Sequence, residues 1–537
     1  MKPRSMTHIL LSIGLMVVFS LAPMAVSSMG LQTPERGGGA NADGYADLAI
    51  GIPYRDVGGF NNAGMVGFVP GRSIGLDYDN GAPFDFSTPG LFGEPRLNAH
   101  FGQALAGGDF NKDGYLDLAI GIPDESVNGA ANAGVVSILF GSSSGYTGAN
   151  STYWIQPYLG TNIAEVSDRF GAALAAGDFN GDGYDDLAVG APGQDNGSAE
   201  SVGVVDVIYN AASGAETTDW SFVMQGQDGF QGVTEDGDNF GSVLATGDFD
   251  GDSYDDLAIG TPNEDVQVGP TLYVDAGVVQ IVYGSPTGLV TAGNQLFYQG
   301  YNGLQDAPTN YDKFGYSLAA GHFDSGKYED LAIGVPYEAG ESGIVQIIWG
   351  DVSGLNAEID MRINQGLISG ESIEADDRFG WALAVGDFNG NGRDDLAIGV
   401  PGQDGTTYVG EGRVHALYGP FSSFATAFTK NNPSPEANAN FGFALASGDI
   451  DGDGFDDLTA SAPYQDESVT VTDSGALYTM MGSASGVVGS PVQYATLSYI
   501  GADGLAEVTG DRFGLVLLAL DEPQTEMEFV YLPLVRK

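Results

Sequence analysis

A nine-residue loop rich in side-chain oxygens recurs along the chain, and its third copy reads DFNGDGYDD over residues 178–186. Oxygen side chains at loop positions 1, 3, 5 and 9, with the main-chain carbonyl of position 7, can surround one hard cation. Glycine at position 6 permits the sharp turn. Ca²⁺ is the expected ion because it accepts about six to eight oxygen ligands in irregular geometry, whereas Mg²⁺ loses water reluctantly.

Five copies of this loop are complete. Their predicted ligands, in the order of positions 1, 3, 5, 7 (carbonyl) and 9, are Asp109, Asn111, Asp113, Tyr115 and Asp117; Asp178, Asn180, Asp182, Tyr184 and Asp186; Asp248, Asp250, Asp252, Tyr254 and Asp256; Asp387, Asn389, Asn391, Arg393 and Asp395; and Asp449, Asp451, Asp453, Phe455 and Asp457. Ordinary hairpin turns are the alternative interpretation, since Asp, Asn and Gly favour turns. Four oxygen positions kept in five copies favour calcium. Because crowded carboxylates repel one another without a cation, metal binding should be coupled to folding.

Two further copies depart from the pattern. In the fifth, the ligand positions hold His322, Asp324, Gly326 and Asp330, and Lys327 brings a positive charge to position 6, so no calcium is expected there. The first copy supplies Asn41, Asp43 and Asp47 at positions 3, 5 and 9 but has glycine at position 1. We expect Asp521, from the other end of the chain, to supply position 1 and build a sixth, split site. The alternative is a ring that closes without holding an ion.

Each loop sits inside a larger repeat. The segment DLAIGIP at residues 47–53 recurs at intervals of 62–74 residues, with starts at Asp47, Asp117, Asp186, Asp256, Asp330, Asp395 and, in the weaker form DLTASAP, Asp457. A Phe-Gly pair precedes each of the last six copies, and a seventh pair, Phe513-Gly514, lies near the C-terminus. Each unit predicts four strands. Sheets repeated in this way bury their faces only against neighbouring copies, which predicts an all-β, seven-bladed β-propeller of four-stranded antiparallel blades.

Ring closure follows from the same phase. The first copy has no Phe-Gly strand before its acidic loop. The C-terminal strand from Phe513 to Asp521 has a Phe-Gly pair but no second strand after it, so it is predicted to complete the first blade.

Phe-Gly, an acidic loop and then Gly190-Ala191-Pro192 resemble the FG-GAP repeat of integrin α-chain propellers and of many secreted bacterial proteins. The resemblance covers residues 41–521 and implies the propeller. It implies adhesion or ligand binding only weakly, because one fold hosts many functions.

The two ends of the chain and its composition indicate where the protein acts and which classes of protein can be excluded. Lys2 and Arg4, an apolar run and a small-residue stretch predict a signal peptide over 1–27, followed by a linker (28–40), the propeller (41–521) and a C-terminal tail (522–537). No later segment predicts a membrane span, so a secreted or cell-surface protein is expected. We also expect the protein to be monomeric. With 71 acidic and 18 basic residues, nucleic-acid binding is disfavoured. The absence of cysteine excludes disulfides and thiolate chemistry.

The face opposite the acidic loops is the expected ligand face, because integrin-like propellers engage ligands there. Asp lies three residues after the repeat proline in five copies, at Asp56, Asp195, Asp265, Asp404 and Asp466, and is interpreted as turn-stabilising rather than as an acidic ring. Tyr54, Tyr337 and Tyr464 follow the proline directly. The histidines at 100, 322 and 415 fall in different copies and form no predicted triad. The sequence favours a binding or adhesion module for an extracellular protein or glycan. The alternatives are a polysaccharide hydrolase or lyase and a structural surface subunit.

Overall fold

The structure is a computed structural model that describes residues 40–91, 93–156, 164–209, 220–227, 229–421, 427–500, 505 and 508–520. The predicted signal peptide, nearly all of the linker and the C-terminal tail lie outside these residues. Strands account for almost all the regular structure in the described residues, and the short turn Glu338–Glu341 has left-handed backbone angles at Ala339 and Gly340, so it is not a regular α-helix.

The described residues contain thirty strands, fifteen of them in the first half of the chain. These are β1 (Asp47–Ile52), β2 (Met65–Val69), β3 (Ala82–Phe84), β4 (Ala104–Gly108), β5 (Asp117–Ile122), β6 (Val135–Leu139), β7 (Thr152–Trp154), β8 (Ala173–Gly177), β9 (Asp186–Ala191), β10 (Val204–Ile208), β11 (Trp220–Val223), β12 (Val243–Gly247), β13 (Asp256–Thr261), β14 (Val266–Val268) and β15 (Thr271–Tyr273). Short 3₁₀ turns lie at Tyr78–Asn80 and, further along the chain, at Gln365–Leu367 and Leu497–Tyr499.

The second half contains another fifteen. These are β16 (Val278–Tyr283), β17 (Val290–Phe297), β18 (Ser317–Gly321), β19 (Asp330–Val335), β20 (Ile344–Asp351), β21 (Gly354–Ile363), β22 (Leu383–Gly386), β23 (Asp395–Val400), β24 (Arg413–Leu417), β25 (Phe428–Asn431), β26 (Leu445–Gly448), β27 (Asp457–Ala462), β28 (Ala476–Met480), β29 (Val492–Ala495) and β30 (Val516–Leu520).

These strands form seven four-stranded antiparallel sheets, so the predicted seven-bladed β-propeller is confirmed. Blade 1 is β30-β1-β2-β3, and blades 2 and 3 are β4–β7 and β8–β11. Blade 4 is β12-β13-β16-β17, with the β14–β15 hairpin inserted between its second and third strands. Blades 5, 6 and 7 are β18–β21, β22–β25 and β26–β29. The first strands of successive blades contact one another all the way round, which makes them the inner wall of the ring.

Blade 1 takes strands from both chain ends, as the repeat phase predicts. Strand β30 pairs antiparallel with β1, with Asp47 opposite Leu520 and Gly51 opposite Val516. Strand β30 also contacts the inner strands of blades 2 and 7, so it completes the ring as well as the sheet.

The hydrophobic core lies between blades rather than within them. Seven large buried clusters each combine side chains from two adjacent blades, one cluster for every junction. The Phe of the Phe-Gly pair is fully buried in these junctions, as is the Phe at position 2 of most acidic loops. Removing one such ring costs about 3–5 kcal/mol in typical cores.

The two glycines of the repeat are explained by one close contact. A Cβ on Gly190, in the second strand of blade 3, would lie 2.1 Å from the carbonyl oxygen of Gly241, which belongs to the Phe-Gly pair of blade 4. No side chain fits there. Blade 7 is the exception, because Ser461 stands at the position of Gly190. The Ser461 hydroxyl accepts a hydrogen bond from the backbone N–H of Ala444 in the same blade.

Candidate metal loops and the opposite face

The antiparallel topology sorts the connections to the two ends of the ring. The acidic loops join first to second strands and therefore lie at one end, whereas the connections from second to third strands and from one blade to the next lie at the other. We call these the metal-loop end and the opposite face.

The blade 3 loop shows how the local sequence shapes a site. The Asp178 carboxylate accepts hydrogen bonds from the backbone N–H groups of Asp182 (3.0 Å) and Gly183 (2.8 Å), which curls the loop around position 1. The Asn180 and Asp182 side chains each accept an N–H from two residues further on, at 2.9 Å in both cases. The loops of blades 2 and 7 repeat the bonds to position 1. These turns hold the predicted ligand oxygens on the inside of one loop.

In two loops the carboxylates converge closely enough to share an ion. Ligand atoms of Asp248, Asp250 and Asp256 lie within 4.8 Å of one another, as do those of Asp449, Asp451 and Asp453. One oxygen of Asp451 is buried without a hydrogen-bond partner, as is one oxygen of Asp117 in blade 2. An all-oxygen donor set with orphaned carboxylate oxygens fits a hard divalent cation.

Position 9 has a structural role of its own. The Asp117 carboxylate accepts the backbone N–H of Gly141 at 2.8 Å, and the same bond to a following glycine is made in the fifth copy by Asp330. Burial raises the pKa of Asp117 to about 8 and that of Asp256 to about 9, with neighbouring loop carboxylates adding to the effect. An aspartate at position 9 therefore does not by itself indicate a metal, and positions 1, 3 and 5 carry the distinction.

A further carboxylate, at loop position 8, was missed by the sequence analysis. Asp255 of blade 4 accepts the backbone N–H of Asp178 in blade 3 at 2.8 Å, and its own N–H donates back to the Asp178 carbonyl at 3.3 Å. The same two-way bond joins Asp185 to Asp109. It also links Glu329 to Asp248, Asp394 to His322 and Asp456 to Asp387. Burial is the main cause that raises the pKa of Asp255 to about 7. The recurrence of an acidic residue at position 8 in five copies was the available signal.

The fifth loop is organised differently, in line with its altered sequence. A His322 ring nitrogen lies 3.2 Å from the Tyr328 carbonyl oxygen. Lys327 reaches back to blade 4, where its ammonium group donates to the Gly251 carbonyl at 3.3 Å and lies over the Tyr328 ring. An ammonium group thus stands beside a neighbouring predicted calcium loop.

The first loop adopts the local turns of the complete loops. The Asn41 side chain accepts the Asp43 N–H at 2.9 Å and Asp43 accepts the Tyr45 N–H at 3.2 Å, as at the matching positions of blade 3. Asp47 accepts the N–H groups of Ala40 and Gly71, both at 2.9 Å. Asp521 lies outside the described residues, so the split site stays a prediction.

On the opposite face, the aspartates that follow the prolines stabilise turns. Asp56 accepts the backbone N–H of Asn62 at 2.9 Å, and Asp195 accepts that of Ser201 at 2.8 Å. Asp265, Asp404 and Asp466 make the equivalent bonds in their own blades. The turn-stabilising interpretation is confirmed in all five copies.

A continuous series of aromatic and basic side chains crosses this face, and we call it the aromatic–arginine arc. Its members come from three repeat positions, before the Phe of Phe-Gly, two residues after it, and directly after the proline. They are Tyr316, Tyr337, Arg378, Trp381, Phe443, Tyr464, Arg512, Tyr54 and His100.

Neighbouring members of the arc are in contact. Ring centroids are 4.9 Å apart for Tyr316 and Trp381, 5.4 Å for Trp381 and Phe443, and 6.0 Å for Phe443 and Tyr464. The Arg512 guanidinium carbon then lies 5.0 Å from the Tyr464 ring centroid and 4.5 Å from that of Tyr54. The three tyrosines noted in the sequence are therefore parts of one assembly.

The arc ends in a charged group. His100 contacts the Tyr54 ring and lies 2.7 Å from the Asp124 carboxylate, which Arg169 also contacts at 3.1 Å. Burial raises the pKa of Asp124, but the hydrogen bond with His100 and the Arg169 charge outweigh it and lower that pKa below its ordinary value. His322 and His415 lie far along the chain in blades 5 and 6, and His415 is fully buried in β24.

The family described as FG-GAP repeat matches residues 101–139, 170–208, 240–282, 379–417 and 441–480, which fall on blades 2, 3, 4, 6 and 7. The chain therefore contains FG-GAP repeats in these five blades. Each matched segment runs from a Phe-Gly pair through an acidic loop to the third strand, so it contains one complete predicted calcium loop.

Relatives of this chain include two kinds of larger protein. Human phosphatidylinositol-glycan-specific phospholipase D is 27% identical over 69% of this chain and 44% of its own length. Chicken integrin alpha-V is 32% identical over 44% of this chain and 20% of its own, and Drosophila melanogaster integrin alpha-PS2 is 31% identical over 51% and 18%. The chain spans less than half the length of these relatives.

Structural comparison is weaker. The rhamnogalacturonan lyase YesW aligns over 90% of this chain and 77% of its own at 13% identity, with a TM-score of 0.37, a level that supports no inference about function. Among the described residues, no helix has the length and apolar character needed to cross a membrane.

Proposed function

We propose that the protein is a secreted, calcium-stabilised β-propeller that binds an extracellular protein or glycan as a ligand-binding or adhesion module. The observation that carries the calcium part is the convergence of Asp449, Asp451 and Asp453, and of Asp248, Asp250 and Asp256, within 4.8 Å. The five loops with complete ligand sets bind the ions. The chain functions as a monomer. Homology to integrin α-chains supports the binding role.

Calcium would act on the fold rather than on a reaction. The loops join inner to second strands, and those of blades 2 to 7 are linked to one another through position 8, so ions placed there stabilise these six blades together. Bound Ca²⁺ offsets carboxylate repulsion, and the position 1 and position 9 aspartates hold the loop around it. The opposite face is left free for a ligand.

The metal part is tested by calorimetric titration of chelator-treated protein with Ca²⁺, combined with metal analysis. About five ions per chain are expected, or six if the split site binds. A stoichiometry of zero or one contradicts the proposal.

The binding part is tested with a glycan array and a pull-down, both run in calcium-containing buffer, followed by product analysis on any glycan retained. Retention without product supports a binding module. Product formation that is lost when a carboxylate distant from the loops is replaced identifies a hydrolase or lyase instead. Silence in both assays contradicts ligand binding and favours a structural subunit.

A further inference from the structure

Arg512 forms no ion pair with any carboxylate of the described residues, although the chain has 71 acidic residues. Seven of the nine arginines in the described part of the chain form ion pairs with Asp or Glu, and Arg512 is not among them. It is fixed instead between the rings of Tyr54 and Tyr464, at 4.5 and 5.0 Å. Asp473 is close enough to interact with this charge but forms no ion pair with it, so a guanidinium group held between two rings is available to an outside anion.

Two hydrogen-bond donors of the aromatic–arginine arc lack acceptors. The indole N–H of Trp381 has no partner among the described residues although this side chain belongs to a residue that is only 6% exposed. The Nε of Arg512 is likewise buried without an acceptor, while the residue as a whole is half-buried. The Nη nitrogens form no hydrogen bond within the described residues and are the accessible end of the guanidinium. The arc therefore presents hydrogen-bond donors and ring faces, which a ligand with hydrogen-bond acceptors would complement.

The backbone of this face is already used. Each of the seven residues that precede a Phe-Gly pair has a left-handed conformation and donates its N–H to a carbonyl of the preceding blade, as Arg512 does to Asp473 at 3.0 Å and Arg378 to Glu341 at 2.8 Å. A peptide that paired through its main chain would find no free N–H at these seven positions. At these positions recognition falls to side-chain donors and aromatic rings, the groups with which proteins commonly hold sugars.

The charge balance limits the ligand to few negative charges. Arg378 is paired with Glu341, and Arg169 with Asp124, so these two cations are neutralised. Asp473 lies near enough for the Arg512 charge to oppose the rise that burial causes in its pKa. A polyanion would meet the acidic surface of a chain with net charge −53, whereas one carboxylate can reach Arg512 alone.

We propose that the aromatic–arginine arc binds a sugar bearing a single carboxylate, a uronate unit of a glycan, with the carboxylate on Arg512 and the sugar ring against the neighbouring aromatic side chains Tyr464 and Phe443. The inference rests on the extracellular binding role proposed above and names its ligand class. Arg512 supplies charge and orientation, and the two tyrosines hold it in place.

The ligand side of the test uses unmodified protein with methyl β-D-glucuronide, its uncharged methyl ester and methyl β-D-glucoside, measured by saturation-transfer NMR and calorimetry in calcium buffer. The glucuronide should bind about tenfold or more tightly than either neutral sugar, because a charge-assisted hydrogen bond is lost with the carboxylate, and added salt should weaken it. Equal binding of all three sugars, or binding of an acidic peptide such as hexaglutamate with none of the glucuronide, overturns the proposal.

The protein side compares Arg512→Gln with Arg72→Gln, which removes a partly exposed arginine, paired with Asp77, at the metal-loop end. Glucuronide affinity should fall about tenfold or more in Arg512→Gln and stay unchanged in Arg72→Gln. Unchanged affinity in Arg512→Gln overturns the assignment. If the array shows neutral glycans that both variants still bind, the extracellular binding role stands and only the uronate site fails. If array and pull-down are silent, the broader role fails.

Discussion

Asp47 and Leu520 stand opposite each other in the antiparallel pair that joins the two ends of the chain. This register sends successive leucines of β30 to different neighbours. Leu517 packs in the cluster shared by blades 7 and 1, with Leu477 and Ala446, whereas Leu518 packs in the cluster shared by blades 1 and 2, with Leu105. A single strand thus fills two junctions.

Leu517→Ala and Leu518→Ala should each destabilise the protein by about 2–5 kcal/mol, because each creates a cavity at a different blade junction. Urea or thermal denaturation measures the loss. Val469→Ala, at a residue that is 96% exposed, is the matched control and should change stability by less than about 0.5 kcal/mol. If the two leucine variants melted like the control, strand closure would not contribute to stability in solution.

Calcium should stabilise the fold through the complete loops and not through the fifth. With free Ca²⁺ at about ten times its dissociation constant, one site contributes about 1.4 kcal/mol. Asp453→Ala should therefore reduce the difference between the melting temperatures in Ca²⁺ and in excess chelator. Asp324→Ala, at position 3 of the fifth loop, should leave that difference intact. A wild-type melting temperature that is the same with and without chelator, after metal analysis confirms removal, contradicts calcium stabilisation.

The buried link at position 8 should matter more than an exposed bond of the same kind. Asp255→Ala leaves the backbone N–H of Asp178 without its acceptor in a buried place, which costs about 1–3 kcal/mol. Asp236→Ala removes a carboxylate that accepts the Glu200 N–H on the surface and should cost much less. Calcium titration of Asp255→Ala should also show weaker binding at one site. Equal denaturation midpoints for the two variants would show that the link is not stabilising.

The buried Asp206 in β10 should give the protein a pH-dependent stability. Burial raises the pKa of this carboxyl from 3.8 to about 8, although Gln156 donates to it. The folded state therefore binds a proton at Asp206 more tightly than the unfolded state. The resulting stabilisation of the folded state is complete below about pH 4 and is lost as the pH rises toward 8.

Asp206→Asn should remove that dependence and raise stability by about 1–3 kcal/mol at pH 9, since the neutral amide avoids a poorly bonded buried charge. Denaturation curves at pH 5, 7 and 9 check this, with Asp236→Asn as an exposed control. Parallel pH profiles for wild type and Asp206→Asn would contradict it.

The sequence predicted the architecture because the architecture is periodic. Seven in-phase copies revealed the blades, the phase mismatch at the ends predicted the β30–β1 pair, and the oxygen spacing placed the loop turns seen around Asp178. These features repeat, so one copy supports the interpretation of another.

What the sequence could not provide were contacts between copies. Asp255 lies next to the predicted ligand Asp256, and nothing local shows that its carboxylate reaches into the preceding blade. The aromatic–arginine arc was missed for the same reason. Tyr54, Tyr464 and Arg512 are distant in the chain, and only ring closure brings Arg512 between the two tyrosines.

The carboxylate links between neighbouring loops connect six of the seven blades. They join blades 2 to 3, 3 to 4, 4 to 5, 5 to 6 and 6 to 7, but position 8 is Ala46 in blade 1 and Leu116 in blade 2. The links therefore connect blades 2 to 7 in an open series, and blade 1, which takes strands from both chain ends, lies outside it. Blades 2 to 7 can associate in the order of synthesis before blade 1 closes the ring. Unfolding of the closed ring should likewise begin at blade 1.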